Sequence, residues 1–405
     1  MIADLHAHLP MHLPAGVPSG VRPLPGYLRD RWRGTALSAL GRLGNFDPES
    51  KRPRVSVPLL REGGVGLAFS VLYSPFDEMI FSPRWHLREA RRRERPYHWA
   101  PPSPRAFPRL LRQLESVERH VAESHASEAG FVRGLGELDE VESSRRTALV
   151  HCVEGAFHLG EEPAAIDAAV TELARRGVAY ITIGHLYFKG VASVVPNAAS
   201  WLRLTPERWD EIWPQPEVGL TERGEAAVRA MVREGVVVDL AHLSSRAFSD
   251  ALSLLDELDP DGWLPVIVSH TAFRFGDLAY NLDRDAVERI VARKGIVGLI
   301  LSDHHLADGL NGRRPQTLRE SIDLLCRHID RIGELAGSLR HVAIGTDLGG
   351  FVEPVAGLST SAELAALDAE LRRRYGDEDG GLIASGNAIR LVRSVLRLRE
   401  LACPA

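Results

Sequence analysis

Met1-Ile2-Ala3-Asp4-Leu5-His6-Ala7-His8 opens the chain, a short apolar run that ends in His-x-His. Side chains alternate along a strand, so His6 and His8 project from the same face. A parallel barrel gathers its strand C-termini on one side, and two imidazoles at such an end are a usual start for a metal site. Read alone, the same motif is equally well two unrelated surface histidines. The decision rests on whether the rest of the chain also puts ligand-type residues at the ends of apolar strands.

It does so repeatedly. Residues 65–73 form a continuous apolar run, as expected of a buried strand. Residues 147–153 form another and end at Glu154-Gly155, and residues 179–183 run into Gly184-His185. The run 236–241 ends at His242, and 265–269 ends at His270. The run 296–301 leads into Ser302-Asp303-His304-His305, and 342–346 ends at Asp347-Leu348-Gly349-Gly350. Helical periodicity fills most of the intervals, over 105–126, 163–176, 221–234, 244–255, 283–293 and 317–336, with Thr221 placed to cap its helix. Eight apolar strands alternating with helices predict a parallel sheet closed into an α/β (β/α)8 TIM barrel. The Pro-, Gly- and Arg-rich stretches near 14–60 and 74–104 read as lid-like loop insertions over the C-terminal face, with a weak helical pattern at 34–43. The loop at 186–219 carries Trp201, Trp209 and Trp213 as candidate pocket walls. With no tandem repeat and no dividing linker, residues 1–405 read as a single barrel domain.

Composition narrows the function classes. A chain with 44% hydrophobic and 25% charged residues falls in the ordinary soluble globular range. A net charge of -5 gives no electrostatic reason to expect nucleic acid, and the basic run Arg91-Arg92-Arg93-Glu94-Arg95 reads as a solvated helix face or lid element. Cys152, Cys326 and Cys403 are widely spaced and odd in number, so no disulfide framework follows and a reducing cytoplasm is the expected setting. No basic segment followed by an apolar stretch precedes the first strand, and no run is long enough to span a bilayer.

A barrel brings its strand ends together, so His6, His8, Glu154, His185, His242, His270 and Asp347 should converge. Each has a bland alternative: a helix cap for Glu154, a satisfied histidine for His185, a turn-former for Asp347. Their joint placement favours a metal site.

With those residues placed, the chain resembles the membrane (renal) dipeptidase family, peptidase family M19, among the amidohydrolase-like metal-dependent hydrolases. Val150-His151-Cys152-Val153-Glu154-Gly155 looks like the family's bridging-glutamate segment, and Tyr180-Ile181-Thr182-Ile183-Gly184-His185 resembles its substrate-contacting histidine segment. Gly219-Leu220-Thr221-Glu222-Arg223-Gly224 followed by Val238-Asp239-Leu240-Ala241-His242-Leu243-Ser244 is the most specific match. Ser269-His270, Ile344-Gly345-Thr346-Asp347 and Gly386-Asn387 are similar to the second-metal, catalytic-aspartate and C-terminal segments. The resemblance implies two divalent metal ions, with zinc the expected element. His6, His8 and Glu154 would hold one ion, and Glu154, His242 and His270 the other. It implies a metal-bridged hydroxide attacking the amide of a dipeptide-like substrate, Asp347 as proton shuttle and His185 as oxyanion donor. Three departures stand out. His6-Ala7-His8 replaces the family's His-x-Asp, which leaves the site one unit more positive. Phe157, followed by His158, takes the place of a histidine three residues after the bridging glutamate. Tyr280-Asn281 stands where an arginine grips the substrate carboxylate; Arg274, one turn beyond His270 if that segment is helical, is the substitute. His304 and His305 are further candidates for substrate contact. Other readings of the same residues are hydrolysis of an ester, lactone or cyclic amide, or a non-catalytic metal-binding barrel. A small-molecule or dipeptide-like substrate and a homodimer complete the expectations; neither nucleic acid nor a membrane is expected as a partner.

Overall fold

The computed structural model describes residues 1–13, 47, 52–78, 104–196, 208, 211, 214–310, 314–350 and 352–402. The strands are β1 (Ile2–Ala7), β2 (Val65–Leu72), β3 (Ala129–Phe131), β4 (Thr147–Glu154), β5 (Tyr180–Thr182), β6 (Val237–Asp239), β7 (Val266–Thr271), β8 (Ile296–Leu299) and β9 (Val342–Ile344). Eight of them run in the order β1-β2-β4-β5-β6-β7-β8-β9, every pair parallel. Helices lie between most of them, so the architecture is the expected (β/α)8 barrel, nearly closed. These strands are buried almost throughout, which is why their sequences read as unbroken apolar runs rather than as alternation.

Closure falls between β1 and β9. The Asp347 N–H donates to the His6 carbonyl at 2.9 Å, and the His8 N–H donates to the Leu348 carbonyl at 3.0 Å. Asp4, fully buried, accepts from the Thr346 N–H at 2.9 Å and the Thr346 hydroxyl at 2.6 Å. A carboxylate inside an apolar barrel is tolerated because donors satisfy it. These contacts join the first and last strands and carry His6, His8 and Asp347 to one place.

The ninth strand was not expected. β3 pairs with the first half of β4, Ala129 opposite Thr147, below the point where β5 pairs at Val153 and Glu154. With the helix Leu135–Ser143 it fills a stretch whose three-residue strand is too short to show a period. The expected helices appear as Ala106–Ser124, Pro163–Arg175, Glu222–Arg233, Ser245–Leu258, Arg284–Ala292 and Leu318–Ala336. Thr221, Ser244, Asp283 and Thr317 cap four of them by accepting a backbone N–H. After the barrel, Leu364–Gly381, a π-helical turn at Leu382–Gly386 and Asn387–Ala402 pack against it. Asn387 donates to the Leu339 and Val342 carbonyls at 2.8 and 2.7 Å, so Gly386-Asn387 fastens the N-terminal end of β9, opposite the site.

Most of the two expected insertions, the helical pattern at 34–43, Arg91 to Arg95, Trp201, Trp209, Trp213 and Cys403 lie outside the described residues. Within the expected insertions, Val57–Glu62 is a helix and Pro75–Glu78 a single helical turn.

Candidate active site

The seven strand-end residues meet, and each is buried: His6, His8, Glu154, His185, His242, His270 and Asp347 are between 0% and 7% exposed. Glu154, the last residue of β4, is at the centre. Its Oε1 lies 3.3 Å from His6 Nε2 and 3.5 Å from both His242 Nε2 and His270 Nε2. Its Oε2 lies 3.5 Å from His8 Nε2 and 3.4 Å from His185 Nε2. Asp347 Oδ1 approaches from the far side, 3.1 Å from His8 Nε2 and 3.9 Å from His6 Nε2.

Two residues hold left-handed backbone conformations to achieve this, His242 at φ 66° and Asp347 at φ 55°. Such conformations cost a non-glycine residue roughly 1 kcal/mol or more and collect at functional sites. They turn the chain sharply just past β6 and β9, so each side chain points inward. Glycine is required at 350 by close approach: a Cβ there would stand 2.7 Å from His8 Nε2 and would collide with Asp347 Oδ1.

Proton accounting shows which ring nitrogens face the centre. Tyr180 spends its hydroxyl proton on the Leu5 carbonyl at 2.8 Å, so its oxygen accepts from His6 Nδ1–H, also at 2.8 Å. Ser269 spends its proton on Asp239 at 2.6 Å, so its oxygen accepts from His270 Nδ1–H at 2.8 Å. With Nδ1 spent on these acceptors in both rings, both Nε2 atoms point inward. His242 Nε2 and His270 Nε2 stand 2.9 Å apart, a separation that needs a shared proton or cation between them. His6 Nε2, Glu154 Oε2 and Asp347 Oδ1 are buried without a hydrogen-bond partner. Buried polar atoms are rarely left so unless an ion or ligand completes them.

Candidate ligand atoms fall into three groups, each within 4.8 Å: His6, His8 and Asp347; Glu154, His242 and His270; and His6, Asp239 and His270. The third group fails on chemistry. Asp239 already accepts from Thr182, from the Ser269 hydroxyl and from the backbone N–H groups of Ser269 and Ala241, so its lone pairs are taken. It orients Ser269, which in turn orients His270, the usual arrangement behind a metal-binding imidazole. The other two groups offer imidazole nitrogens and carboxylate oxygens, the donors divalent zinc takes. Asp347 at 3.1 Å is nearer His8 Nε2 than Glu154 is at 3.5 Å, so it belongs to the first group, with Glu154 beside it.

Electrostatics agrees with the geometry. Burial works to raise the Glu154 carboxyl, but His185, His6 and His242 outweigh it and hold Glu154 well below the usual carboxylate range. Burial, reinforced by His6 and His242, keeps His270 well below the usual imidazole range. His185 goes the other way: burial would lower it, yet Glu154 and Glu78 push it up to about 9.

The structure also places the other residues named from the sequence. Arg274 is not on a helix; after β7 the chain forms an irregular loop closed by a bridge between Phe273 and Leu282. Its guanidinium donates to the carbonyls of Leu278, Asn281 and Ala279 at 3.2, 2.9 and 3.0 Å and reaches Asp283 at 3.3 Å. A fork occupied by its own loop is not a free grip for a substrate carboxylate, which corrects that assignment. Tyr280 does border the centre, its ring 5.0 Å from that of His242, but its hydroxyl donates to the His270 carbonyl at 2.9 Å. His158 stays outside the ligand groups, donating Nδ1–H to the Gly155 carbonyl at 2.7 Å and accepting the Ser74 N–H at 3.2 Å. His305 packs 4.6 Å from Tyr280 and His304 lies beside it, behind the site wall.

Sequence reasoning missed Glu78. Its carboxylate, fully buried, accepts from His185 Nδ1–H at 2.5 Å and Tyr73 Oη–H at 2.7 Å, and from the Leu186 and Tyr187 N–H groups at 2.9 and 3.1 Å. The available signal was Asp77-Glu78, two acids just past an apolar strand, hidden at the head of a Pro-rich stretch.

Several known proteins are similar to this chain. The dipeptidase tcpJ of Claviceps purpurea is 23% identical over 291 residues, 70% of this chain and 59% of that protein. The dipeptidase verJ of Clonostachys rogersoniana is 25% identical over 292 residues, 70% of this chain and 64% of that protein. The matched region thus spans about three-fifths of these curated relatives' length. Among solved structures, a metallo peptidase from Rhodobacter sphaeroides liganded with a phosphinate mimic of the dipeptide L-Ala-D-Ala superposes with a TM-score of 0.67. It is 18% identical, with 97% of this chain and 99% of that one covered, a likeness of fold. The sequence profile of membrane dipeptidase (peptidase family M19) matches residues 1–402, and the chain belongs to that family.

Proposed function

We propose that this protein is a metal-dependent dipeptidase, a single barrel domain over 1–405 that cleaves the amide bond of a dipeptide-like substrate. The carrying observation is Glu154, one carboxylate within 3.5 Å of the His6, His8, His242 and His270 Nε2 atoms, with its Oε2 lacking a hydrogen-bond partner. In this reading His6, His8 and Glu154 hold one zinc ion, with Asp347 at its edge, and Glu154, His242 and His270 hold a second. When bound, two such ions supply Lewis-acid charge and acidify water near neutral pH. The chain's own residues do the rest. Asp347 takes a proton from the attacking water and passes it to the leaving amine. His185 offers its Nε2–H to the oxygen that becomes negative as the carbonyl carbon turns tetrahedral. Tyr280 walls the pocket beside His242.

Two buried free thiols, Cys152 and Cys326, fit a reducing cytoplasm. Among the described residues no helix is long and apolar enough to cross a membrane. We carry a homodimer in the same reading, to be checked by sedimentation. The functional test is elemental analysis of protein purified without chelator, followed by assay on L-Ala-D-Ala and L-Ala-L-Ala before and after chelation. Hydrolysis lost on chelation and restored by zinc supports the reading. A fully loaded protein that cleaves esters or lactones but no dipeptide overturns it in favour of another amidohydrolase reaction, and one that cleaves nothing returns it to a binding barrel.

A further inference from the structure

His185 is the one residue of the centre whose Nδ1 faces a carboxylate, and that carboxylate comes from outside the strand-end set. Glu78 belongs to the helical turn Pro75–Glu78 just past β2. The turn is firmly rooted. Tyr73 exchanges two hydrogen bonds with Gln113 at 3.0 and 3.1 Å, Ser74 holds His158 and Asp77, and Asp77 pairs with Arg109 of the helix Ala106–Ser124. Four donors converge on the Glu78 carboxylate, two on each oxygen. The Tyr73 ring meets the His185 ring edge-on at 4.7 Å and limits its rotation. The opposite nitrogen, Nε2, is 3.4 Å from Glu154 Oε2. Both ring nitrogens therefore face carboxylate oxygens, Glu78 on one side and Glu154 on the other.

We propose that Glu78 is a positioning residue for the hydrolysis, fixing the ring of His185 so that its Nε2 edge is aimed at the reacting centre. This rests on the dipeptidase reading for the reaction it serves, but not for the contact itself. A donor helps only if it is already aligned with the oxyanion, and an imidazole free to turn about its side-chain bonds is not. Glu78 supplies that alignment through Nδ1, as an acceptor orients the base of a catalytic triad. Its other three donors are spent holding Glu78 itself.

The test compares wild type, Glu78→Gln, His185→Asn and the double variant, all metal-loaded, on L-Ala-D-Ala and on its phosphinate mimic. Glu78→Gln should lower kcat by roughly 10- to 100-fold with KM within about threefold, because the lost interaction is made in the transition state. Affinity for the tetrahedral phosphinate should fall by a similar factor, with metal content retained. In the His185→Asn background the same change should cost less than about twofold more, since coupled residues are not additive. Full additivity, or a folded Glu78→Gln with wild-type kcat, overturns the proposal. Should Glu78→Gln fail to fold, the wild type still decides. In its proton NMR spectrum, His185 Nδ1–H should give a strongly downfield, exchange-protected resonance, assigned by its loss in His185→Asn; absence of that resonance overturns the proposal. Failure of the peptidase reading looks different: no dipeptide turnover in any form, with the resonance and the phosphinate cycle intact.

Discussion

Asp347 and Glu154 are neighbouring carboxylates with different surroundings, and their substitution should separate two roles. Asp347 has a left-handed backbone, which asparagine tolerates well, so Asp347→Asn keeps both shape and backbone. It removes the proton acceptor, and turnover should fall by roughly 10²-fold or more, the scale of a general acid/base. Elemental analysis should find the metal retained, and near-wild-type turnover would exclude Asp347 as the shuttle. Recognition is the other residue-scale question. Arg274 is held by its own loop and the Tyr280 hydroxyl by a backbone carbonyl, so neither is a free cationic fork for an α-carboxylate. A charge-assisted contact is worth about 1.5–3 kcal/mol, or roughly 10- to 150-fold. Matched free and C-terminally amidated dipeptides should therefore differ in kcat/KM by less than about tenfold, the lower end of that range. A strong preference for the free acid, abolished in Arg274→Ala, would refute this.

At the scale of elements, the loops past β7 and β8 are tied by one histidine of the helix Leu318–Ala336 behind them. His328 Nδ1 accepts the Phe273 N–H at 3.1 Å, and its Nε2–H donates to the Leu306 carbonyl at 2.9 Å. That pattern requires a neutral ring, and burial pushes His328 down to about 4. A folded-state value below the ordinary 6.5 gives stability that is complete above 6.5 and is lost as pH falls through about 4. The full effect is at most about 3 kcal/mol, taking 1.36 kcal/mol per unit. His328→Phe removes the titration and strands two backbone groups. In denaturant melts it should be less stable than wild type at pH 8, with the gap narrowing between pH 6.5 and 4. A gap that does not change with pH would show that His328 does not carry this dependence. The short elements missing from the sequence reading belong to this scale too: a three-residue strand such as β3 is defined by its partner on β4, not by its own period.

For the whole molecule, the barrel and the metal centre should be one thermodynamic unit, because the ligands come from β1, β4, β7 and the segments past β6 and β9. Loaded protein should contain two divalent ions per chain. Ligand binding at 100 times Kd contributes about 2.7 kcal/mol per site, so chelation should lower Tm by roughly 5 °C or more. Glu154→Gln should weaken both sites together. At most one metal in a fully loaded sample, with Glu154→Gln harmless, would rule out the shared carboxylate.

The sequence by itself determined the eight barrel strands and the seven residues at their ends. Burial on both faces writes each strand as a local apolar run, and a parallel barrel sends every strand end to one side whatever the loops do. His6, His8, Glu154, His185, His242, His270 and Asp347 could be listed from those two facts alone. What they do with their protons could not. That His270 shows its Nε2 lone pair depends on Asp239 taking the proton of Ser269, a chain of contacts between neighbouring strands. Glu78 faces His185 across 107 residues, because the end of β2 lies beside the loop past β5. Arg274 looked free in sequence, yet its partners are mostly backbone carbonyls, which every residue has and no motif records. Side-chain type and strand periodicity are local properties, so they are legible in one dimension. Hydrogen-bond partnership is settled only once the folded chain sets donor and acceptor at about 3 Å, whether 4 residues apart as for Arg274 and Leu278 or 107 apart as for Glu78 and His185, and only the tertiary structure decides it.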